Sequence, residues 1–75
     1  MTYLTMKTCN EVREQMPTFV AILASYDIKI IEQWENEQAG TIELTTDANG
    51  FPNVRSAKAV AYDCFGDLLL TFKSA

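Results

Sequence analysis

Two turn signals ending in glycine or proline divide the second half of the chain into three apolar runs: Thr41 to Thr46, Asn53 to Tyr62 and Asp67 to Phe72. The first turn, Asp47-Ala48-Asn49-Gly50-Phe51-Pro52, joins an Asn-Gly pair, which accepts positive φ, to a proline that cannot donate to a ladder. The second, Asp63-Cys64-Phe65-Gly66, again ends in glycine. This spacing predicts a three-stranded antiparallel meander over residues 40–75. In its middle strand Arg55, Ala57, Ala59 and Ala61 share one face, and Val54, Ser56, Lys58, Val60 and Tyr62 the other. The three alanines would let a helix or a flat ligand approach closely. The last strand puts Leu68, Leu70 and Phe72 on one face, predicted to be the core side, and Asp67, Leu69, Thr71 and Lys73 on the other.

The first half has a helical period. Thr8-Cys9-Asn10-Glu11 has the form of a capping box, so a helix is predicted to start at Thr8. Beyond it Val12, Met16, Phe19, Val20 and Leu23 form one apolar stripe. Pro17 either kinks this helix or opens a second one. Asp27 offers a fresh N-cap, and Ile30, Ile31 and Trp34 line one side of a short helix ending near Glu37, before Gly40. The alternation of Ile28 and Ile30 leaves a strand open for this segment. Trp34 reads as a core or interface anchor. The expectation is a single α+β domain over 1–75, with a helical part at 8–37 packed on an antiparallel sheet at 40–75.

With 75 residues the chain buries only roughly 60% of the surface its unfolded form exposes, so partner surface or further chain would add stability. Apolar residues make up 48% and charged residues 21%, a globular composition. The net charge is −4. Six scattered basic residues offer no clustered grip on phosphates, which excludes nucleic acid from the expected partners. No apolar run approaches the roughly 18 residues of a membrane span, and the start lacks a signal-peptide plan, so a cytoplasmic location is expected. Cys9 and Cys64 lie far apart in a chain without histidine; they read as structural thiols, not as a zinc site or a Cys-His pair. Glu32, Glu35 and Glu37 read as a solvated face. Among the cations Arg55, Lys58 and Lys73 that could hold a phosphate, the planar guanidinium of Arg55 is best suited to bidentate contact.

The succession Thr45, Asp47, Gly50, Pro52, Arg55, then Tyr62-Asp63, Gly66 and Thr71 resembles the first half of the pyridoxamine 5'-phosphate oxidase-like family of flavin-binding split β-barrels. The resemblance covers about residues 40–75 without a gap. It implies the N-terminal, truncated part of such a barrel, flavin mononucleotide (FMN) as cofactor, redox chemistry of an FMN-dependent oxidoreductase, and a homodimer whose sites draw on both subunits. It maps phosphate contact onto Arg55 and cofactor contact onto Leu70, which replaces a tyrosine, and Thr71. Lys58 and Lys73 are the further cations available; the family's own lysine position is Val60, and Ala75 stands where a Ser-Arg-Lys segment would begin. Relatives of the same barrel bind haem or a deazaflavin. The competing expectation is a small acidic interaction module or inhibitor without cofactor, whose sheet edge pairs with a partner or with itself.

Overall fold

The computed structural model describes residues 1–74. Its elements are β1 (Thr2–Lys7), α1 (Asn10–Ser25), β2 (Ile30–Asn36), β3 (Thr41–Thr46), α2 (Asn53–Phe65), a 3-10 turn at Gly66–Leu68, and β4 (Leu69–Ser74). The strands form one sheet in the order β2-β3-β1-β4. Every neighbouring pair is antiparallel. The chain order is the split β-α-β plan. The α+β class and the packing of helices on an antiparallel sheet are as expected. The sheet has four strands where three were predicted, and β1 and β2 both lie within the half expected to be helical from residue 8 or left unread before it.

The added strand β1 follows a two-residue alternation, with Thr2, Leu4 and Met6 buried and Tyr3 and Lys7 exposed. Its central place comes from pairing with β3 on one side and β4 on the other. β3 shows the same alternation, burying Ile42, Leu44 and Thr46. These six side chains form the floor on which both helices lie.

The helix α1 runs through Pro17, whose ring sits on the exposed side, and buries Val12, Phe19 and Leu23. Each of these contributes on the order of 1.5–3 kcal/mol on burial. Val20, expected on the same stripe, is exposed. The predicted capping box does not form: the N-cap is Cys9, and the Thr8 hydroxyl is buried with no partner. Asp27 is no N-cap either. It takes φ 62°, and the Ile28 N–H donates to the Leu23 carbonyl (3.0 Å) while the Asp27 N–H donates to the Ala24 carbonyl (2.9 Å). That is a Schellman ending, with the apolar pair Ile28 and Leu23 both buried beside it. The chain leaves it as the strand β2, which corrects the second predicted helix.

The second helix, α2, occupies the segment predicted as the middle strand. Ala57, Val60, Ala61 and Phe65 are its buried residues, spaced three, four and eight apart, which is a helical stripe. Alanine is the strongest helix former and is depleted in strands, so Ala57, Ala59 and Ala61 favour this outcome. Phe65 meets Phe19 of α1 edge to face with ring centroids 4.9 Å apart, which sets both helices on one side of the sheet.

A bulge decides β4. Met6 pairs with Leu69 while Thr5 pairs with Thr71, so Leu70 is the extra residue. Leu69 faces the core, Phe72 packs against it, and Leu70 is 53% exposed. Of the expected core row Leu68, Leu70 and Phe72, Leu68 and Phe72 do pack against the core, and Leu70 is the member corrected, its place being taken by Leu69.

Candidate functional site

Both helices cover one face of the sheet, and the other face is open. Cross-strand partners share a face, so the register orders its side chains in rows. Glu32 pairs with Thr45, Thr45 with Tyr3, and Tyr3 with Lys73. Trp34 pairs with Glu43, Glu43 with Thr5, and Thr5 with Thr71. Asn36 pairs with Thr41, and Thr41 with Lys7. Two features stand out. Aromatic surface is displayed on the face, Trp34 being 59% and Tyr3 43% exposed. Charge is partitioned too: Glu32 and Glu43 lie on the β2–β3 half and Lys7 and Lys73 on the β1–β4 half.

Rigidity comes from beneath. The Thr2 and Thr46 hydroxyls bond each other in the interior, and Thr46 Oγ1 also accepts from the Ala48 N–H at 3.1 Å. At the start of β2 the Lys29 N–H donates to the Asp47 carboxylate (2.8 Å) and the Asp47 N–H to the Lys29 carbonyl (3.0 Å). Asp47 thus closes the end of the β2–β3 hairpin. The Arg13 guanidinium donates to Glu35 at 2.7 Å, tying α1 to β2; both side chains are substantially exposed, so this pair contributes about 0–1 kcal/mol.

A concavity of about 500 Å³ opens at the start of α2, lined by Asn49, Gly50, Phe51, Val54, Arg55, Lys58 and Ser74. Arg55 and Lys58, one helical turn apart, bring two cations to it. Phe51 is 80% exposed at its rim. Of the five residues predicted to hold a cofactor, the structure therefore brings Arg55 and Lys58 together. Thr71 and Lys73 pair with Thr5 and Tyr3 and lie on the open face, across the sheet from α2. Leu70 sits at the bulge. Arg55 and Lys58 stand together at this concavity, and the remaining residues expected to contact FMN are not gathered around it.

Comparison with protein-family models, curated proteins and solved structures finds no match for this chain.

The residues that carried the split-barrel resemblance are redistributed by the fold. Arg55 and Tyr62 lie on a helix instead of a strand, and Asp47 is engaged in the hairpin contact. Burial, and secondarily the Asp63 carboxylate, pushes the Cys64 thiol above its ordinary value, which keeps it protonated and a weak nucleophile at neutral pH. Among the described residues no group of His, Cys, Asp and Glu is arranged to hold a metal ion, and no helix is long and apolar enough to cross a membrane. The open face itself was missed in the sequence. The signal for it is the alternation of Tyr3, Thr5 and Lys7 with Leu4 and Met6.

Proposed function

We propose that this protein is an interaction module whose working surface is the open face of its sheet and whose partner is a protein. The observation that carries the reading is Trp34 at 59% exposure with Tyr3 on the same uncovered face. Large amphipathic rings on a rigid, threonine-rich surface are the anchors that protein interfaces favour. A net charge of −4 and equal numbers of Lys and Glu on the face disfavour nucleic acid, which would repel it at long range. A photo-crosslinking amino acid placed at Trp34 or Tyr3 is expected to give a covalent protein adduct. The same group at Val20, on the outer side of α1, is expected to give none. Adducts from Val20 alone would reverse the assignment.

A second reading is favoured by one observation, the pairing of Arg55 and Lys58 at the 500 Å³ cleft. There a phosphate-bearing small molecule such as FMN would be held by its phosphate, the guanidinium supplying a bidentate contact. A flavin so held would bring redox chemistry with it; the residues of this chain supply the anchoring. Arg55→Ala is then expected to weaken FMN binding, followed by flavin fluorescence, by about tenfold or more, as loss of a charge-assisted contact does, while leaving riboflavin binding unchanged. Equal loss for both, or no saturable binding to the wild-type chain, removes this reading.

A further inference from the structure

We infer that the partner on the open face is a second copy of this chain, packed face to face about a two-fold axis that runs along the strands between β3 and β1. The inference rests on the interaction-module reading above and names its partner. A closed two-fold contact is self-complementary, so each residue must suit the one that the rotation places over it. The register permits that test row by row.

An axis along the strands keeps each row at its own level and reverses its order. The row Glu32, Thr45, Tyr3, Lys73 then lies over its own reverse. Glu32 meets the partner's Lys73, Lys73 meets the partner's Glu32, and Tyr3 meets the partner's Thr45. One row along, Trp34 covers the partner's Thr71, and Glu43 covers the partner's Thr5. Opposite charges meet twice, like charges never, and both aromatic rings rest on threonines. The alternative axis, across the strands, exchanges the first row with the third and maps the middle row on itself. It sets Glu43 against the partner's Glu43 and leaves Lys73 without a carboxylate. Like charges brought together at an interface cost more than such small faces can offset. Either axis keeps the two sheets aligned within about 30°, the usual geometry of stacked sheets, so the charges decide between them.

The face sets the strength. Four strands at about 4.8 Å spacing and six residues at about 3.3 Å rise give a face roughly 15–20 Å by 20 Å. That is below the roughly 800 Å² per partner of a standard interface, so association belongs at the weak end. A Kd of about 1–100 μM is expected for such a contact. Concentration therefore has to be varied across that range.

Sedimentation velocity of the 75-residue chain, from about 1 to 500 μM, tests this directly. The wild-type chain is expected to dimerise. Glu32→Lys and Lys73→Glu are each expected to weaken the dimer by about tenfold or more, since either swap makes both contacts repulsive. Mixing the two variants one to one is expected to restore a dimer, because both contacts of the mixed pair are again Lys against Glu. A folding defect could not produce that rescue. A dimer indifferent to either swap, or swaps without rescue on mixing, overturns the arrangement. A wild-type chain that stays monomeric throughout overturns the second copy as partner. In that case adducts from Trp34 to a different protein would keep the interaction-module reading, and adducts from Val20 alone would remove both.

Discussion

On the covered face of the sheet Leu4, Met6, Ile42 and Leu44 are each at most 4% exposed, and Phe19, Val12 and Leu23 of α1 close over them. On the open face the alternating residues of the same two strands are Tyr3, Thr5 and Lys7, Thr41, Glu43 and Thr45, with Trp34 beside them. The difference teaches how a short chain divides its labour. Its marginal apolar surface is concentrated on one side, where packing determines stability. The other side is relieved of that duty. Its threonines keep strand propensity without demanding burial, and its aromatic and charged groups are free for a partner.

That contrast can be broken most easily from the covered side. Leu44→Ala removes a fully buried side chain from the middle of the floor and is expected to cost about 2–5 kcal/mol, measured as a lowered urea midpoint at unchanged slope. A cost under about 1 kcal/mol would mean that the face is not packed as described. The buried hydroxyl pair comes next. Thr46→Val leaves the Thr2 hydroxyl and the Ala48 N–H without their partner, and a loss of about 1–3 kcal/mol is expected. The double change Thr2→Val with Thr46→Val should recover part of it, because one orphaned hydroxyl is then gone; no recovery would show that the hydroxyl pair is not what holds these strands. Smallest is Leu70→Ala at the bulge. With the side chain 53% exposed, the stability read from urea unfolding should change only as a surface substitution does, by about ±0.5 kcal/mol. A loss of 2 kcal/mol or more would put Leu70 in the core and restore the strand face expected from the sequence.

Much of α1 and β3 was legible beforehand. Val12, Phe19 and Leu23 recur at a helical period over sixteen residues, and Ile42 and Leu44 alternate with polar partners, so each pattern points to a single structure. α2 was legible in principle. Its residues satisfy a two-residue alternation on paper, but Ala57, Val60, Ala61 and Phe65 satisfy the helical one, and the helix propensity of its alanines agrees with the latter. β1 lies ahead of every element predicted from the sequence, although Leu4 and Met6 alternate with Tyr3 and Thr5. In the candidate site, Arg55 and Lys58 could be named as cations from composition. That they stand together at a cleft required knowing that residues 53–65 are helical, which converts a three-residue spacing from opposite faces into one turn.

Local sequence determined where the chain turns and which side chains seek the interior: glycines at 40, 50 and 66 take positive φ, and the buried stripes of α1 and β3 follow from their own periodicity. The tertiary structure decided the rest. Asp27 became a helix end instead of a beginning, because Ile28 found Leu23 and the following residues found an edge of the sheet. The bulge at Leu70 chose the faces of β4. The open face, with acidic and basic halves, exists only because β1 inserts between β3 and β4 from the far end of the chain, and no local pattern encodes which distant strands will share a row.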